Sequence, residues 1–295
     1  MVTVGSILSG TFRFARGNIP AILIWSGILF LHSLLAMALM QPVYSAQVAG
    51  LQSGGPAPSG GLSFLNALLT LLVYVVLWAA VIRGVLMPER GGLGYLRLGM
   101  DELRLLGCAL ILIISFYLLV SVGGAIVGLV FAFAAGGAGS PTSIVQMVIF
   151  GAIVVAILLA GGLGTRFSLA GPLTLLEGKI IIGPSWRLTR DHFWRLLGAY
   201  LVIVLLLGLI YAAPMMLRPG PSIASMFKLG DPGTQTAILR AQADNFTLSF
   251  KNVVIDAVIA LVGGVALALH VGMLAVATSQ LLSRGGDRHL NEVFE

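Results

Sequence analysis

The sequence predicts an all-α integral membrane protein: a six-helix bundle made of three repeats, each a cytoplasmic interfacial helix followed by a transmembrane hairpin. Three observations lead there. Hydrophobic residues make up 58% of the 295 and charged residues 9%, against about 25% charge in soluble domains, and mean hydropathy is +1.02. Six apolar runs reach the roughly 20 residues that cross a bilayer core. A charged segment of recurring pattern stands before every second one.

In chain order, the runs fall at 21–40, 64–86, 105–134, 144–162, 196–217 and 253–282. Arg13 and Arg16 precede the first, and "VYSAQ" follows it. About 20 apolar residues exceed the core of a cleaved signal, so the expectation is an uncleaved first span. "QPVYSAQVAGLQSGGPAPSGG", 41–61, is uncharged and rich in Gly, Pro and Ser, which predicts a flexible outer loop. "AAGGAGSPTS" predicts a short outer turn. In the third outer connection, "TQTAILRAQADNFTLSF" predicts a short helix on the outer surface. No stretch outside the spans exceeds about 35 residues, too few for a soluble core. The expected organisation is a single transmembrane domain, 1–295, with repeat units near 1–87, 88–165 and 166–283 and a cytoplasmic tail at 284–295.

Orientation follows from the 17 Lys and Arg. Arg13, Arg16, Arg83, Arg90, Arg97, Arg104, Arg166, Lys179, Arg187, Arg190, Arg195, Arg284 and Arg288 fall on one side of the spans, and Arg218, Lys228, Arg240 and Lys251 on the other. The positive-inside rule then places both termini in the cytoplasm. Arginine outnumbers lysine 14 to 3, which suits a GC-rich bacterial genome and hence a bacterial inner membrane. Anionic headgroups account for the net charge of +6, so no nucleic acid is expected. Cys108 is the one cysteine, which excludes an intrachain disulfide.

The repeat rests on three segments: "FRFARGNIPAIL" from Phe12, "LRLGMDELRLLG" from Leu96 and "WRLTRDHFWRLLG" from Trp186. Arg13, Arg97 and Arg187 align, Asp101 matches Asp191, and "RLLG" recurs at 104–107 and 195–198 with one residue of slippage. On one continuous helix, Arg187, Asp191 and Arg195 would form a single charged stripe, as would Arg97, Asp101 and Arg104. Trp186, Phe193 and Leu197 would share a neighbouring face, with Arg190 close to it. Trp186 and Trp194 suit the interface, where an apolar ring with a polar tip is favoured. These residues are the candidate lipid- or partner-facing set. The run "RFSLAGPLTLLEGKIIIGPSWRLTRDHFWRLLGAYL", 166–201, resembles bacterial polytopic proteins related to the membrane domain fused to some glycerophosphoryl diester phosphodiesterases. The likeness lies in the span-closing Arg166, then Pro172 and Glu177, the segment Ser185–Arg190, and Phe193 with Trp194. In those fused proteins the catalytic barrel is a separate soluble domain. The resemblance therefore implies the membrane architecture and not the hydrolytic activity.

Two further groups stand out. Ala260, Gly264, Ala268 and Gly272 are small residues spaced four apart in the sixth span, with Gly124 and Gly128 a shorter version in the third; both predict close helix packing. His32 and Asp256 lie at comparable depth and offer a candidate intramembrane polar pair, suited to proton-linked transport. Arg83 and Arg166, near the cytoplasmic ends of the second and fourth spans, suit phosphate contact or a basic headgroup pocket. "GGLG" at 91–94 and 161–164 lacks a nucleotide-site context, the four histidines lack zinc spacing, and no nucleophile elbow occurs. No cofactor, metal or enzymatic activity is expected. The expected partners are anionic membrane lipids, with a membrane protein or a second copy of the chain as the alternative.

Overall fold

The computed structural model describes residues 2–53, 55, 60–134, 141–218 and 232–294, and every regular element among them is helical. Six helical stretches are long and apolar enough to cross a membrane, so the chain is a multi-pass membrane protein. Helix α1 (Val4–Gly17) is followed by α2 (Ile19–Ser53) and α3 (Gly61–Leu86). After two single 3-10 turns come α4 (Met100–Ala134) and α5 (Pro141–Leu159), which continues through a π turn (Ala160–Gly164) into α6 (Thr165–Phe167). Then follow α7 (Ala170–Glu177), α8 (Gly183–Arg190), α9 (Phe193–Met216), α10 (Pro232–Asn245) and α11 (Phe250–Phe294).

One element differs from expectation. Helix α2 carries on through Pro42 to Ser53, so 41–53 is helical and not a flexible loop. Proline removes one backbone donor but leaves the rest of the ladder intact, and Tyr44 on this extension meets Phe246, just past α10, with ring centroids 5.2 Å apart. The helix expected in "TQTAILRAQADN" is present as α10 and packs on α2. At the other end, 284–294 extends α11.

The chain divides into two compact units. One comprises Met1–Gly10, Leu98–Leu201 and Met273–Glu295. Its α1 opens with a reciprocal cap: Ser6 N–H donates to Thr3 Oγ1 at 3.1 Å, and Thr3 N–H donates to Ser6 Oγ at 3.0 Å. This satisfies two of the amides a helix start leaves open. Gln280 holds the same turn, donating to the Ser6 carbonyl at 3.0 Å. The α4–α5 hairpin closes where side chains are smallest. A Cβ on Gly124 would come within 2.6 Å of Ala152, and one on Gly151 within 3.0 Å of the Gly128 amide nitrogen.

The second unit comprises Thr11–Arg97 and Val202–Gly272. The four small residues of α11 pack inside it. A Cβ on Gly264 would overlap Ser26 Oγ on α2, one on Gly272 would come within 3.2 Å of Phe14, and Ala260 and Ala268 are buried. The stretch after α3 contains two consecutive residues in the left-handed region, Gly94 (φ 64°) and Tyr95 (φ 60°), a conformation costly for a residue with a side chain. Three bonds hold it: Trp25 Nε1 donates to the Gly94 carbonyl at 2.9 Å, Tyr95 Oη to Asn18 Oδ1 at 3.1 Å, and Arg83 Nη1 to the Tyr95 carbonyl at 3.4 Å. Asn18 also separates α1 from α2, donating its Nδ2 to the Phe14 carbonyl at 2.9 Å.

Candidate functional site

The site is built at the end of the fourth span. The π turn at Ala160–Gly164 contains three glycines in five residues, and a widened turn of this kind is common at functional positions. Thr165 Oγ1 donates to the Gly161 carbonyl at 2.7 Å, so the next residue, Arg166, starts from a fixed helix end. Helix α8 then docks on that end through two hydroxyls four residues apart. Ser185 Oγ donates to the Arg166 carbonyl at 2.8 Å and Thr189 Oγ1 to the same oxygen at 3.2 Å, both side chains being fully buried.

This docking brings two rings to one guanidinium. Arg166 Cζ lies 5.1 Å from the Trp186 ring centroid and 4.9 Å from that of Phe193, within the range where a cation is attracted to an aromatic face. Phe167 packs on Trp186 at 5.4 Å, and Trp194 meets Phe193 edge-on at 5.2 Å. Among the described residues the guanidinium forms no hydrogen bond, and its Nη1 is buried. His192 Nδ1, in the turn between α8 and α9, is likewise buried without a partner there.

The predicted lipid-facing residues are rearranged. Helix α8 ends at Arg190, with Asp191 as its cap and α9 starting at Phe193, so Arg187, Asp191 and Arg195 do not form one helical stripe. The break follows from Ser185 and Thr189, which tie α8 to Arg166 and turn the chain at Asp191 and His192. Arg187, Arg190, Asp191 and Arg195 are exposed, and Arg195 Nη1 donates to the Val2 carbonyl at 3.2 Å. Trp186 and Trp194 are exposed too, Trp194 to 79%. In the second segment, Arg97 lies outside α4, which starts only at Met100. Gly99 caps this helix, its amide donating to Glu102 Oε2 at 2.9 Å. Asp101 and Arg104 pair at 3.2 Å, while Arg97 takes no part in their helix. No separate interfacial helix precedes α4 among the described residues, because the glycines at 91, 92 and 94 break the chain there.

The polar pair is not assembled. His32 Nε2 bonds Thr70 Oγ1 at 3.0 Å. Asp256, buried, forms an ion pair with Arg218, which lies beyond the end of the fifth span. Burial pulls the Arg218 guanidinium below its ordinary pKa. Sequence reasoning missed Arg218, although its place just past the end of the fifth span matched the depth of Asp256. It also missed Phe167 and His192; the buried Ser185 and Thr189, four apart on one face, were the available sign that α8 docks. Of the two span-end arginines, Arg83 is buried and holds the Tyr95 carbonyl, whereas Arg166 faces rings. Among the described residues, no three His, Cys, Asp or Glu side chains converge as a metal site would require. Comparison with models of protein families, with curated proteins and with solved structures gave no match.

Proposed function

We propose that this chain is a non-enzymatic multi-pass protein of a bacterial inner membrane, with both termini cytoplasmic, that binds and organises anionic lipids through its basic juxtamembrane segments. The observation that carries this reading is the α8–α9 corner. Exposed Arg187, Arg190 and Arg195 stand beside exposed Trp186 and Trp194, directly before the apolar α9. Water alone would disfavour the rings and hydrocarbon alone the charges; the headgroup layer accommodates both. Exposed Leu98, Met100 and Leu103 around Arg97 and Arg104 repeat the combination ahead of the third span. The sidedness rests on the distribution of Lys and Arg between the loops. The separate partners of His32 and Asp256 leave proton-linked transport without its acid–base pair.

The test uses Trp194 in the full-length protein reconstituted with brominated phosphatidylglycerol or brominated phosphatidylcholine. We expect the phosphatidylglycerol to quench the emission lost in Trp194→Phe more strongly, and Arg187→Gln with Arg190→Gln to remove that preference. Equal quenching by the two lipids in the unaltered protein would reject the reading.

A further inference from the structure

We infer that Arg166 is the centre of a discrete binding site for one phosphate group, that of an anionic glycerophospholipid headgroup. The inference rests on the lipid-binding reading above and sharpens it from a charged surface to a defined site. The guanidinium Cζ lies 5.1 Å from the Trp186 ring centroid and 4.9 Å from that of Phe193, and neither ring contact supplies a hydrogen-bond acceptor in the ring plane to its N–H groups. Nη1 is buried and has no acceptor among the described residues. A buried donor without an acceptor is costly and rare in a native protein, and an arginine so held is preorganised for a planar, two-pronged acceptor. His192 Nδ1 is a second buried nitrogen in the same corner that still lacks a partner.

Depth selects phosphate as that acceptor. Counting from Ile144, where the apolar run starts in the sequence, Arg166 is about 33 Å along at 1.5 Å per residue, and counting from Ile149, where the span-length apolar stretch starts, about 26 Å; both are close to the roughly 30 Å of a hydrocarbon core, which brings it near headgroup level. Position is also enforced. Ser185 and Thr189 spend their hydroxyls on the Arg166 carbonyl, so they fix the backbone under the guanidinium and bring Trp186 to it. Lysine could supply the charge here but not the flat fork.

Native mass spectrometry of the full-length protein tests this, with titrations of dioleoyl phosphatidylglycerol, dioleoyl phosphatidylcholine and inorganic phosphate. We expect one phosphatidylglycerol to bind at least tenfold more tightly than the rest and to resist phosphatidylcholine. Arg166→Lys should weaken that single lipid at least tenfold. Trp186→Leu, which keeps the charge and removes the stack, should weaken it severalfold, and serves as the readout if Arg166→Lys fails to fold. Arg187→Gln with Arg190→Gln should thin out the looser lipids and spare the tight one. An unchanged tight lipid in both Arg166→Lys and Trp186→Leu overturns the site. Loss of loose lipids in Arg187→Gln with Arg190→Gln, with no tight lipid in the unaltered protein, also overturns the site but leaves the broader lipid reading standing. One-to-one binding of inorganic phosphate that depends on Arg166, with no preference for phosphatidylglycerol, keeps the phosphate site and overturns its lipid source.

Discussion

Arg83 and Arg166 hold corresponding places, each near the end of an even-numbered span, yet the protein uses them in opposite ways. Arg83 is only 2% exposed, and its Nη1 reaches the carbonyl of Tyr95. Arg166 is half-buried, packed near two rings, with its hydrogen-bonding edge unused among the described residues. What differs is the chain that follows. After α3, "GGLGY" folds back with two left-handed residues and presents a backbone oxygen to the arginine. After α6 and α7 comes α8, whose Ser185 and Thr189 hydroxyls donate to the carbonyl of Arg166, while its side chain lies by Trp186 and Phe193. An arginine at a span end is therefore structural or available according to what the next connection offers it.

The sharpest way to break this comparison is to remove Arg83. Arg83→Met removes a fully buried guanidinium and takes the donor from the part-buried Tyr95 carbonyl, and we expect a loss of about 3 kcal/mol in stability, measured by denaturation in mixed micelles. Next comes the turn that supplies the acceptor. Gly94→Ala places a side chain at φ 64°, where it would come within 3.3 Å of Ile24, and should cost about 2 kcal/mol. Trp25→Phe removes the bond to the Gly94 carbonyl and part of a fully buried ring, and should cost about 2 kcal/mol by the same measurement. The smallest stability effect belongs to Arg166→Lys, within about 1 kcal/mol because a cation remains near the rings, although its lipid retention falls. If Arg166→Lys were as damaging as Arg83→Met, the distinction between the two arginines would fail.

The six spans were legible because apolar runs of sufficient length leave few alternatives in a chain with 9% charge. The packing of Gly264 and Gly272 was legible in the same way, since spacing of four on a helix fixes a shared face. The charged stripes were not, because a stripe presumes an unbroken helix. In the third segment Asp191 falls in a turn, and in the second Gly99 starts the helix after Arg97. The cap was written in "GMDE", where a glycine stands three residues before a glutamate, but an Arg-Asp-Arg pattern concealed it. His32 and Asp256 illustrate another limit: depth along a helix says which groups share a level, not which faces meet. Arg218 and Thr70 supplied the partners instead.

The central claim is that exposed arginines at the α8–α9 corner and the guanidinium of Arg166 recruit anionic lipid. The most direct measurement is the lipid composition carried by the full-length protein when it is extracted from its membrane in polymer-bounded discs, compared with a variant combining Arg166→Lys, Arg187→Gln and Arg190→Gln. The account predicts enrichment of anionic phospholipid over the bulk membrane around the unaltered protein, and a return to bulk composition around the variant. The same composition around both proteins would contradict it.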